Sequence, residues 1–400
     1  MRTLTAWRSR RAMDLMVLDG LFTALSGGFV SFMTPFLLHM GAGRGHISLL
    51  SSLQSLTGSV LQVPFARLTE AIGQRKKLCV VAGAASRLCW VMILLVPFYL
   101  QGQPAVRAVM GLMVVISVCG ALAGPAWTSI MAALVPREQR GRFFATRNVV
   151  AGMGTLAAVP IASRLIARRG FPAGFQLSIV VSLALGLVAF MSFLRILEPP
   201  YDLPKPQLVR GFMSTGWRKA GSSLFARYVF STTAMGLAAG IAGPFCSIYA
   251  VQVLEAGVVH LGYYTMAGTT AALLSQRVWG HFSDRRGPGP AVVISGFSVA
   301  ASSFLWFAST ARWHPIAAEI VGGLAWGGWG LATFNLLLEL TPDDRRPSYV
   351  AIYGLFSGVA ATLAPLAGTL LIGIVGFRQI FLLSTVLRLL AAESLRRAVR

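Results

Sequence analysis

ARLTEAIGQRKK (residues 66–77) and GHFSDRRGPG (residues 280–289) are two renderings of one pattern. At an offset of 214, Leu68 falls on Phe282, Glu70 on Asp284 and Gly73 on Gly287. A second pair is LVPREQRGRFFATRNVVAGMG (134–154) and LTPDDRRPSYVAIYGLFSGVA (340–360). At an offset of 206, Pro136 meets Pro342, Arg140 meets Arg346, Ala145 meets Ala351 and Gly152 meets Gly358. Both polar pairs lie between long apolar stretches. The chain therefore reads as a tandem repeat of apolar segments joined by short basic loops.

The composition sets the medium in which the repeat folds. Of the 400 residues, 55% are hydrophobic and 12% charged, about half the charged fraction of a soluble domain. About 20 apolar residues at 1.5 Å each cross a ~30 Å hydrocarbon slab. Twelve such spans are expected, near 14–38, 47–69, 78–99, 107–135, 143–167, 172–195, 221–250, 259–282, 291–310, 315–340, 348–375 and 377–394. Pro35, Pro64, Pro125, Pro160, Pro244 and Pro365 fall within them, as membrane helices tolerate when neighbours re-satisfy the freed backbone. The expected fold is all-α, with twelve transmembrane helices in two pseudo-symmetric six-helix bundles. The expected division is a first bundle at 1–195, a Pro-rich cytoplasmic linker at 196–220 and a second bundle at 221–400. A large soluble domain, a soluble enzyme and a disordered regulator are excluded.

The net charge of +22, from 35 Lys and Arg against 13 Asp and Glu, would suggest nucleic acid in a soluble chain. Here its distribution is topological. Seven basic residues (Arg44, Arg107, Arg164, Arg168, Arg169, Arg312 and Arg378) fall in one set of loops. Most of the rest fall in the other set and in the tails, so both termini are expected to be cytoplasmic. No nucleic-acid role is expected, and part of the charge can hold anionic lipid headgroups. Cys79, Cys89, Cys119 and Cys246 lie in apolar stretches without CxxC spacing and read as small packed residues. The apolar run after the basic N-terminus is too long for a signal-peptide core, so the first helix is expected to be retained.

With this pattern the chain resembles the major facilitator superfamily over its whole length. The family's loop G-x-L-x-D-R-x-G-R-R corresponds to Ala66, Leu68, Glu70, Gly73, Arg75 and Lys76, with Ala71 where an Arg is usual. The second copy is closer: Gly280, Phe282, Asp284, Arg285 and Gly287. The resemblance implies a secondary transporter in which two six-helix repeats rock about a shared site. It implies that these loop residues, with Arg140, Arg147 and Arg346, form a conformational latch or inner gate. Two departures weigh against an ordinary proton-coupled drug antiporter. Met113 stands where helix 4 usually carries Arg, and the helix-5 glycine motif keeps only Pro160.

Ionisable groups inside the spans are functional candidates, because a charge at the bilayer centre is costly. Asp19, five residues into the first span, can couple a proton, or it can pair with Arg147 or Arg227. Glu319 lies 206 residues after Met113 and can face a substrate or stay wet. Arg227 can bind an anionic group or snorkel to the interface. Asn335 needs partners across helices or a substrate. Trp127 and Trp326 read either as packing or as faces for an amphipathic substrate, Trp326 within the run GGLAWGGWG (322–330). No metal spacing, phosphate loop or nucleophile constellation occurs, so neither an enzyme nor a cofactor is expected. The expected function is secondary transport of a small organic molecule, with proton coupling, a lean to export and a monomeric state in a bacterial inner membrane. The competing reading is a non-transporting assembly or sensor protein built on the transporter fold.

Overall fold

The computed structural model describes residues 2–135, 140–198, 224–341 and 346–399; the side chains of 2–11, 63, 70, 132, 140–142, 145, 346–348 and 351 lie outside that description. Most of the linker at 196–220 is therefore outside it as well. The described residues form α1 (Arg2–Phe29), α2 (Met33–His39), α3 (Arg44–Val60), α4 (Gln62–Ile72), α5 (Arg75–Tyr99), α6 (Gly102–Leu134), α7 (Arg140–Arg169) and α8 (Ala173–Leu194). They continue as α9 (Leu224–Ala242), α10 (Phe245–Gln252), α11 (Val258–Arg286), α12 (Pro288–Ala308), α13 (Pro315–Glu339), α14 (Arg346–Val375) and α15 (Gln379–Val399). No strand occurs among the described residues.

These segments make twelve rods, because three rods are broken in two. The breaks follow proline chemistry: Pro35, Pro64 and Pro244 lie at or within the first turn of α2, α4 and α10. There a missing N–H removes no helical bond. Pro97, Pro125, Pro160 and Pro365 lie inside continuous helices. Nine rods among the described residues are long and apolar enough to cross a membrane. The other three (α3 with α4, α11, and α15) carry more polar sequence, such as HFSDRR at the end of α11 and SLRR at the end of α15.

The chain divides into two compact units: residues 1–43 with 60–205, and 44–59 with 206–400. Residues 44–59 join the second unit through contacts such as Thr369 Oγ1 donating to Ser48 Oγ at 2.6 Å. In the first unit α1 packs on α7 and α8, α5 on α6 and α8, and α4 on α6. In the second, α9 packs on α14 and α15, α12 on α13 and α15, and α11 on α13. These are the same pairings one repeat later. Individual bonds recur too. Ser178 Oγ donates to the Phe29 carbonyl at 2.6 Å, and Ser384, 206 residues on, donates to the Ala238 carbonyl at 2.6 Å.

The loop glycines of the repeated motif have a backbone reason. Gly73 ends α4 at φ +68° and Gly287 joins α11 to α12 at φ +84°, a region that L side chains enter only at a cost. The glycines of α13 serve close approach instead. A methyl on Gly323 would overlap the Gly268 carbonyl of α11, and one on Gly328 would enter the Trp279 ring. Trp279 Nε1 locks the same crossing by donating to the Leu324 carbonyl at 2.8 Å. Gly323→Ala is therefore expected to destabilise the second unit by about 2–3 kcal/mol. Thermal melting in detergent checks this, with Gly330→Ala, which meets nothing within 4 Å, as the neutral control.

Candidate functional site

Asp19, Arg147 and Trp127 come together in the first unit, from α1, α7 and α6. Arg147 NH2 stands 3.7 Å from Asp19 Oδ2, and both side chains are largely buried. That distance is an ion contact longer than a hydrogen bond. The Trp127 indole lies beside the Asp19 carboxylate, and the Arg147 guanidinium lies over the Trp127 ring, 4.7 Å from its centroid. Arg147 Nε also reaches the Met16 carbonyl at 3.4 Å. Gly20 makes room for this crossing: a Cβ there would meet Arg147 Nε at 2.9 Å. The guanidinium is thus held by a carboxylate, a ring face and a carbonyl, and the carboxylate keeps acceptor capacity beyond its loose ion pair.

A second guanidinium acts on Asp19 from further away. Arg87 of α5 donates from Nε and NH2 to the Gly186 carbonyl of α8 and from NH1 to the Gly83 carbonyl, and stacks over Phe190 at 4.5 Å. Its charge attracts the Asp19 carboxylate electrostatically. The helix pair one repeat later carries an arginine from the opposite partner. Arg388 of α15 donates to the Val299 carbonyl of α12 at 3.0 Å and to Ser302 Oγ at 3.4 Å.

Among the described residues the second unit shows no counterpart of the charged trio. Residues 206 on from Trp127 and Arg147 are Thr333 and Tyr353. There Tyr228 donates its hydroxyl to the Thr333 carbonyl at 2.8 Å and stacks on Tyr353 at 5.9 Å. Neutral aromatic packing replaces the ion pair.

Glu319 and Trp326 instead border a partly open pocket of about 660 Å³ lined by the second unit, together with Arg388. Arg227 is exposed and borders a surface groove with Glu393 and Arg397. Asn335 is half-buried on α13. Arg75, expected at a gate, is fully buried within the first unit, bonded to Glu198 Oε1 at 3.2 Å and to Ser129 Oγ at 3.1 Å. Asp284 and Arg285 are exposed at the end of α11. Glu70, Arg140 and Arg346 lie in helices, but their side chains are outside the described residues. Of the cysteines, Cys79 and Cys89 are buried while Cys119 and Cys246 are half-buried, and all four are free. Among the described residues no group of His, Cys, Asp and Glu could hold a metal ion. The sequence reading left out Arg388, whose signal was a lone arginine in mid-span.

A family model described as Major Facilitator Superfamily matches residues 17–335 and 228–395. Among solved structures, the nucleoside transporter NupG aligns with a TM-score of 0.74 at 12% identity, over 98% of this chain and 100% of that one. A bacterial homologue of the iron transporter ferroportin, in an inward-facing state, aligns at 0.75 and 15% identity over 97% and 98%. A bacterial homologue of the human lysosomal transporter Spinster aligns at 0.69 and 14% identity over 99% and 97%. At these identities the likeness is one of fold. No curated protein matches the chain in sequence.

Proposed function

The chain belongs to the major facilitator superfamily, and on that premise we propose that it is a secondary active transporter. It moves a small organic molecule across a bacterial inner membrane by alternating access, with both termini cytoplasmic, driven by protons and in the direction of export. It works as a monomer without a cofactor, and anionic lipids hold its basic loops.

The observation that carries the coupling is the loose contact of Asp19 with Arg147. A carboxylate within a span can take a proton at modest cost when its partner can be satisfied elsewhere. Arg147 has such alternatives in the Trp127 ring and the Met16 carbonyl. Protonation of Asp19 would release Arg147 toward an anionic substrate group, and substrate release would restore the pair. The named neighbours carry a nucleoside in one case and iron in another, so they leave the substrate open. Fold alone does not decide it.

The test is proton flux in proteoliposomes with a pH-sensitive dye, against a panel of organic anions, amines and sugars. At least one compound class is expected to move protons, and Asp19→Asn to slow that flux at least tenfold, about 1.4 kcal/mol in barrier terms. Flux unchanged by Asp19→Asn would end the coupling role. Silence across the panel would favour the non-transporting reading, to which Ala71 in the first latch loop already lends some weight.

A further inference from the structure

The partly open pocket of about 660 Å³ lined by the second unit holds an acidic and a basic side chain, Glu319 and Arg388, that do not pair. It lies among α9, α11, α12, α13 and α15, and its volume is in the range of small-molecule sites. Arg388 on its wall is 6% exposed. It spends NH1 on the Val299 carbonyl and Ser302 Oγ, while its Nε is buried with no hydrogen-bond partner among the described residues. On another wall stands Glu319, and Trp306 lines the same pocket. No ion pair joins Glu319 to Arg388 among the described residues.

Such an arrangement is costly by itself. A buried guanidinium with an orphaned donor is under-satisfied, and a carboxylate sharing its low-dielectric cavity without touching it recovers little of its desolvation. Packing alone would have drawn the two charges together or replaced them. A guest that carries both signs satisfies each at its own wall. The ring of Trp326 stands beside the Arg388 guanidinium at 6.0 Å, and Trp306 stacks on Phe381. Indole walls favour an alkylated ammonium over a bare one.

We propose that the juxtaposed Glu319, Arg388, Trp306 and Trp326 form a binding site, internal to the second unit, for a small zwitterion. Its anionic group meets Arg388 and its alkylated ammonium meets Glu319 and the indoles. The site goes beyond the proton coupling proposed above and uses none of the Asp19 trio.

Calorimetric titration of the full chain in nanodiscs tests it, with glycine betaine and γ-butyrobetaine as zwitterions of two lengths, and butyrate and choline as single-charge probes. At least one betaine is expected to bind at least tenfold more tightly than either single-charge probe. Glu319→Gln is expected to weaken that betaine at least tenfold and leave butyrate unchanged, whereas Arg388→Gln weakens both. Should Arg388→Gln lose its monodisperse elution, Arg388→Lys and Glu319→Gln carry the comparison. Absence of binding by both betaines overturns the proposal. So does butyrate binding as tightly as the betaines, or betaine binding unmoved by every variant that folds. The titration uses no gradient, so a failure of proton coupling leaves its outcome untouched.

Discussion

Arg147→Ala is expected to destabilise the first unit by about 3–5 kcal/mol, the usual consequence of taking one partner from a buried ion pair. The loss has three parts. The Asp19 carboxylate keeps the distant pull of Arg87, but loses the charge 3.7 Å away. The Trp127 face loses its cation. The space beside Gly20, which only a glycine leaves open to the guanidinium, becomes a void. Asp19→Asn is expected to cost less, because Arg147 retains the ring and the Met16 carbonyl. The double variant Asp19→Asn with Arg147→Ala is expected to recover much of the single loss, since no lone charge remains. Denaturant-induced unfolding in micelles of the four proteins of this cycle checks the coupling. A purely additive result would mean that the contact has no energetic content.

Arg75→Ala is expected to have an effect of similar size, about 3–5 kcal/mol, for a different architectural reason. Arg75 opens α5, and its side chain is 1% exposed. It joins three elements: its own helix, α6 through Ser129, and the residues after α8 through Glu198. The next residue extends the clasp, because Lys76 Nζ donates to the Leu194 carbonyl at 2.8 Å, where the end of α8 has carbonyls to satisfy. Arg285 in the second motif copy is exposed, and Arg285→Ala is expected to stay within about 0.5 kcal/mol of the parent. Melting curves of the two variants side by side decide this. Equal shifts would show that burial of Arg75 carries no stabilisation.

What the sequence made legible was whatever is encoded in periodicity and punctuation. The offsets of 206 and 214 mark the repeat in the sequence, and the donors Ser178 and Ser384, 206 residues apart, make matching bonds in the two units. Pro35, Pro64 and Pro244 marked rods, although their breaking of those rods depended on where in the turn each fell. The glycines of α13 were open to a packing reading, which the Gly268 carbonyl and the Trp279 ring now explain. One side-chain partner across a unit's interior was legible: Asp19 reads as able to pair with Arg147 or Arg227, and the structure puts Arg147 3.7 Å away and leaves Arg227 exposed. Arg388 reads as a single cation in an apolar run; its partners Val299 and Ser302 are 89 and 86 residues away. No local pattern encodes contacts of that range.

The reciprocal arginines of the two units have a historical consequence. Arg87 reaches from the third rod of its unit to the sixth, and Arg388 from the sixth to the third. Their repeat equivalents are Ala301 and Ser182, which carry no charge. If the halves descend from one duplicated ancestor, each of the two positions gained or lost its arginine in one half after the duplication. Each half now wedges a positive charge into the same seam from opposite sides. A symmetrised protein built from two copies of either half would therefore lose one of the two arrangements, so the halves are no longer interchangeable.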